Sequence, residues 1–284
     1  MNMNERIPLE EWKAKKQAER EALGQKQLAA MESFCGSGKA LSVYLYGPGR
    51  LGSRLSSGNA ALVLQQIPLA RAINPMRIWN QNGRSVNKGA KGITVLSRKG
   101  NGKGYYLTPE TVFDVSQTNG DTPCPQRTIQ DDPKQQSIAV LSIVEMARVP
   151  VEIGEPATGV TEYLPDEKKI VVSREATDLQ LLQELPAVLV QSCLALDAPD
   201  TNPAEVRFLS GAAALEVCGR FGISAPASSD MRMEQCRHIL SHENVREHFD
   251  NARDFARTIG DQIERNLPKL QYHARDTRYQ PERG

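Results

Sequence analysis

From residue 33 to residue 109 the chain has no aspartate or glutamate, yet it carries eleven lysines and arginines there. Protein surfaces normally interleave both signs, so an acid-free stretch of this length implies a positive face and a polyanionic partner such as nucleic acid. Other absences narrow the field. The five cysteines form no CxxC pair and their number is odd, which argues against a closed disulfide framework and suits a reduced, cytoplasmic protein. The opening residues MNMNERIPLEEWKAKK carry charge with no apolar run behind it, and no stretch approaches the roughly 20 apolar residues of a bilayer span. Secretion and membrane insertion are not expected.

The 284 residues suffice for two domains of ordinary size. Their net charge of +1 hides an asymmetry: residues 1–120 hold 17 Lys/Arg against 8 Asp/Glu, a local +9 that leaves −8 for the remainder. The two halves therefore face different partners.

Residues 8–33 consist of strong helix formers, with Pro8 placed to open a helix and acids in its first turn. Gly36, Gly38, Gly47, Gly49, Gly52 and Gly58 then read as breaks, followed by a short helix, AALVLQQI, that stops near Pro68. Turn dipeptides at Asn82-Gly83 and Lys88-Gly89 punctuate β-prone runs, with ITVLS and TVFDV as two strands of a twisted antiparallel sheet. The polar, proline-bearing stretch 119–136 reads as a linker. Beyond it, helical runs flank a hairpin, EYLPDEKKIVVS, built around a Pro-Asp turn. The expected fold class is α+β in two domains. Residues 1–118 combine helix with twisted antiparallel sheet, and residues 137–284 form a mainly helical domain with a small β-sheet.

Four local patterns bear on chemistry. Gly47-Pro48-Gly49-Arg50-Leu51-Gly52 matches the dinucleotide fingerprint GxGxxG and follows a strand-like VYLY. That motif needs an acid about 20 residues later to hold a ribose hydroxyl, and none occurs before Glu110. A second pattern interleaves cations (Arg50, Arg54, Arg77, Arg84, Lys88, Lys91, Arg98, Lys99, Lys103) with Tyr44, Tyr46, Trp79, Tyr105 and Tyr106. Single-stranded nucleic acid needs this mixture, because cations track phosphates while aromatic faces stack bases. The third, Leu181-Leu182-Gln183-Glu184-Leu185-Pro186-Ala187, has a glutamate where a zinc-peptidase helix places its general base, but Gln183 and Ala187 stand where two histidine ligands would be. Last, His238 and His242 are four apart after Cys236 and before Glu243, a spacing that on a helix would put both on one face for a metal.

Three blocks in order, SSGNAALVLQQIP (56–68), IWNQNGRSVNKGAKGITVLS (78–97) and VFDVSQTNG (112–120), resemble the N-terminal domain of ArdC-type antirestriction proteins, whose relatives are carried by plasmids, phages and conjugative elements. Trp79, Gly83, Arg84, Val86, Lys88, Gly89, Lys91, Gly92 and Ile93 carry the middle block, and Leu55 replaces the tyrosine usual before the first serine. Past the linker, VPVEIGE, EYLPDEKKIVVS, LLQELPAVLV and FLSGAAALEVCGRFGI follow the order of that family's zincin-like metallopeptidase domain. The resemblance implies a single-stranded-DNA-binding fold for the first domain. It also places the three metal-ligand positions at Gln183, Ala187 and Gly211, all replaced here, and leaves Glu184 as a vestigial general base.

The function so implied is single-stranded-DNA binding by a protein of a mobile genetic element, related to antirestriction, with a catalytically inactive metallopeptidase-like domain. No cofactor or metal is expected. Arg54, Asn59, Arg84, Lys88 and Lys91 are the candidates for phosphate or base-edge contacts, with Trp79 as a base-stacking residue. Two alternatives accompany it: an adaptor or inhibitor that docks a host or element-encoded protein on its acidic second half, and a metalloenzyme that has rebuilt its site from His238, His242 and Cys236 or Glu243.

Overall fold

In the computed structural model, residues 8–52, 55–100, 104–121 and 127–269 are described. Pro8 hands over to α1 (Leu9–Ser33), whose first turn carries Glu10 and Glu11 where the helix dipole favours acids. α2 (Gly38–Leu51) begins where the Ser37 side chain accepts from the Ala40 N–H, and α3 (Ser57–Gln66) repeats the device with Ser56 and the Asn59 N–H. The chain then passes through β1 (Ile73–Asn74), α4 (Met76–Gln81) and β2 (Ser85–Val86) into a long antiparallel hairpin of β3 (Ile93–Gly100) and β4 (Tyr105–Asp114). β5 (Thr118–Asn119) returns to pair with β2, and β1 pairs with β4 to give the order β1-β4-β3. ITVLS and TVFDV are thus partners, with Ile93 opposite Val112.

The second half opens with α5 (Pro133–Val144), capped by Asp132 and with proline at its first position, where a missing N–H costs nothing. β6 (Val151–Gly154), β7 (Thr161–Leu164) and β8 (Lys169–Ser173) make a small mixed sheet in the order β6-β8-β7. α6 (Asp178–Asp197), α7 (Pro203–Arg220), α8 (Ser229–Cys236) and α9 (Val245–Asn266) follow. α9 buries Val245, Phe249, Ala252, Ala256, Ile259 and Ile263, a stripe at alternating four- and three-residue spacing that seats it along the core. The architecture is α+β, as the sequence implies.

Three expectations change. Val43–Tyr46, strand-like by composition, lies inside α2, and so do Gly47, Pro48 and Gly49. Here glycine is required rather than disruptive, because α2 meets α7 backbone to backbone. A β-carbon on Gly49 would overlap the Glu216 carbonyl oxygen, and one on Gly219 would overlap that of Tyr46. Of the stretch 119–136, the described residues from 127 onward are not a free linker either: Ile129 is fully buried, its N–H donates to the Phe221 carbonyl at 3.0 Å, and α5 has begun by Pro133. A single apolar anchor among polar turn residues is enough to fix it. Finally, α6 is long and apolar enough to cross a membrane by length and composition, although half of it is buried in this fold, packed against α5 and α7.

The two halves share one interior. A continuous buried cluster extends from Leu23 to Leu267. At its centre Tyr44 of α2 stacks between Phe34 and Phe249 at 4.7 and 4.9 Å, and Phe249 in turn stacks on Phe208 of α7 at 6.0 Å.

Candidate nucleic-acid interface

The hairpin of β3 and β4 is an arm with a buried root and an open tip. Ile93, Val95 and Val112 sit in the core, whereas Arg98, Lys99, Tyr105 and Tyr106 are exposed. Arg98 faces Leu107 across the pair, so Tyr105 is its diagonal neighbour, and the Arg98 guanidinium carbon lies 3.2 Å from the Tyr105 ring centroid. Tyr105 and Tyr106 are 63% and 46% exposed, unusual for tyrosines that merely fill a fold and suitable for stacking bases. Lys99 is spent on Glu110 at 3.0 Å.

Beside this arm runs a groove of about 1770 Å³. Among the described residues it is lined by eight lysines and arginines, with Arg50, Arg71, Arg84 and Arg98 from the first half, against two carboxylates, Glu110 and Glu264. A concave surface with that balance concentrates a polyanion.

The candidate residues named from sequence fall into three groups. Lys88 and Lys91 are exposed on the turn between β2 and β3, outside the groove lining. Asn59 and Trp79 hold the fold instead, and Arg84 braces two strands while still lining the groove. Trp79 is 3% exposed and donates its indole N–H to the Phe113 carbonyl at 2.9 Å, so it is a core residue and not a stacking one. Asn59 is 6% exposed; its Nδ2 donates to the Leu96 carbonyl at 2.8 Å and its Oδ1 accepts from the Leu96 N–H at 2.9 Å, as a neighbouring strand would. Arg84 closes β2 on β5 by donating to Thr118 Oγ1 at 2.8 Å and to the Gly120 carbonyl at 2.9 Å. Arg54 and Lys103 lie outside the described residues. Of the aromatic residues in that pattern, Tyr44 is buried in the aromatic column and Tyr46 is half-buried, which leaves Tyr105 and Tyr106 exposed.

The metal-ligand positions drawn from the resemblance do not fit a metal. Gln183 turns to Ser224, donating to its carbonyl at 2.8 Å and its hydroxyl at 3.1 Å. Ala187 brings no donor atom. Gly211 brings no donor atom either, and the movable ends of Met233 and Arg232 lie 2.6 and 3.0 Å from where its β-carbon would be. Glu184 lines a cavity of about 600 Å³ beside β7, shared with Arg207 and Arg232, and accepts from the Val160 N–H at 3.4 Å. Pro186 sits inside α6 without ending it.

The rebuilt site is not assembled either. His238 is in a short 3-10 turn and His242 in the loop beyond, so no helix face carries both. His242 Nδ1 meets Glu32 Oε1 at 2.7 Å, and His248 packs edge-on against Phe208. Cys236 is buried, which pushes its thiol up to about 11. Among the described residues no group of three His, Cys, Asp or Glu is placed to hold a metal ion.

The fold is therefore that of a helix-and-hairpin module and a mainly helical second half closed on a shared core, with a basic groove and, among the described residues, no assembled metal centre. Among solved structures it matches the antirestriction ArdC protein from plasmid R388. The Mn(II)-bound form gives a TM-score of 0.55 at 14% identity, covering 86% of this chain and 99% of that one. The metal-free form gives 0.53 at 13%, covering 85% and 99%. No family model and no curated protein sequence matches the chain.

Proposed function

We propose that this chain binds single-stranded DNA along the basic groove, with bases stacking on Tyr105 and Tyr106, phosphates drawn to Arg71 and Arg98 within the groove, and further phosphates met by Lys88 and Lys91 on the exposed turn outside its lining. The observation that carries this is the conjunction of two exposed rings with a groove lined by eight cations and two carboxylates. Cations alone would suit any polyanion. Open rings favour bases whose faces are unpaired and free to stack. The likeness to ArdC supports an antirestriction role for a protein of a mobile element.

The second half is proposed to be a metallopeptidase scaffold without catalysis. Glu184 keeps the position of a general base, but a base needs a polarised water to act on, and Gln183, Ala187 and Gly211 supply no Lewis acid for one.

Titration of a labelled oligonucleotide against the full chain tests the first proposal. Binding should weaken steeply with salt, and reversal of Lys88, Lys91 and Arg98 to glutamate should weaken it further. Binding indifferent to both changes would refute it. The antirestriction role is read from the efficiency with which unmodified DNA enters a restricting host that expresses the protein.

A further inference from the structure

The second half sums to −8, yet it supplies four of the eight groove cations: Arg127, Arg220, Arg246 and Lys269. They are not equivalent. Arg220 is paired with Asp261 at 2.6 Å and Glu264 at 3.0 Å, so its charge is already answered. Among the described residues Arg246 donates to neutral acceptors, Gln27 Oε1 at 3.4 Å and the Gly24 carbonyl at 3.3 Å. Arg127 does the same with Gln135 Oε1 at 2.7 Å and the Pro268 carbonyl at 2.8 Å. Hydrogen bonds of this kind fix a guanidinium in place without neutralising it, which prepares it to meet an anion. Arg246 and Glu264 both line the groove from α9, 18 residues apart, or about 27 Å along the helix axis. The groove thus follows α9 for most of its length.

We infer that the nucleic-acid path is composite: the β3–β4 arm forms one wall, α9 and the segment entering α5 form the other, and Arg246 and Arg127 each hold a phosphate. This rests on the single-stranded-DNA reading above. The walls are joined through Gln27, which accepts from Arg246 and donates to Asn59 Oδ1 at 2.7 Å, so the cation of the second half is positioned by residues of the first.

The test uses full-length variants and a labelled oligothymidylate, measured across a range of salt. For single strands each lost phosphate contact lowers the slope of log K against log salt by about 0.7. Arg246→Gln and Arg127→Gln should each lower it by that amount, while the charge-preserving Arg246→Lys and a distant control, Lys168→Gln, should keep the wild-type slope. Unchanged slopes in both glutamine variants, with a lowered slope in Arg98→Gln, would overturn the composite path and leave DNA binding intact. Weaker binding at an unchanged slope together with a lower melting temperature would show Arg246 to be a support for Gln27, and would also overturn it. A wild-type chain that binds no oligonucleotide would remove the underlying proposal itself.

Discussion

Asn59 and Leu96 are joined by two hydrogen bonds, the side-chain amide of one mimicking a strand to the backbone of the other. This contact fastens α3 to the root of the hairpin arm, and it is satisfied without any ligand. Asn59→Ala leaves a part-buried N–H and carbonyl of Leu96 unpaired and should cost about 1–2 kcal/mol of stability, read by denaturant unfolding. Affinity of the folded fraction for DNA should stay close to wild type. A variant of full stability that has lost binding would return Asn59 to the list of direct contacts.

Trp79 offers an optical check. The chain has two tryptophans, and Trp12 is exposed, so Trp12→Phe isolates the Trp79 signal. Its emission should be blue-shifted, shielded from acrylamide, and unmoved by saturating oligonucleotide. Strong quenching by DNA would show that the ring stacks on bases after all.

Tyr105 and Tyr106 should behave in the opposite way. Each alanine substitution removes one stacking platform, worth about 1–3 kcal/mol of binding, and should leave the melting temperature nearly unchanged because neither ring is buried. Equal affinity in the double variant, measured by anisotropy, would reassign the arm.

Glu216 predicts a signature in pH. It is buried against Arg253, whose Nη1 lies 3.2 Å from its Oε2, while another nitrogen of the same guanidinium donates to the Gly52 carbonyl at 2.7 Å. Burial pushes the carboxyl up to about 7; Arg253 pulls it down, and Asp250 and Asp254 push in the same direction as burial. An unfolded glutamate titrates near 4.3. Between those values the folded state holds a proton that the unfolded state has released, so this group's contribution to stability is full below about 4 and is lost as pH rises through about 7. The melting-temperature difference between wild type and Glu216→Gln should therefore fall across that window and be flat above it. A difference independent of pH would show that Arg253 keeps Glu216 ionised throughout.

Much of the fold is written locally, and so is legible. The hairpin strands follow from β-prone runs between turn dipeptides, and α6 and α7 follow from their apolar runs. α2 was hidden because its glycines answer to α7, far along the chain, and local composition reads them only as breakers. The site was less legible for a related reason. Spacing showed cations and rings but could not show that Trp79 turns inward to Phe113 or that Arg84 is engaged with Thr118. Nor could a net charge of −8 reveal that Arg127 and Arg246 face the groove, since averaging over a half-chain erases which side of a helix a cation occupies.

The column of Phe34, Tyr44, Phe249 and Phe208 bears on how such a chain changes over generations. Because rings from both halves stack in one interior, removal of the second half would strip Tyr44 of its cover and take the first half with it. Selection can therefore let the surface of either half drift while still demanding the shared interior, so the two halves are inherited as one.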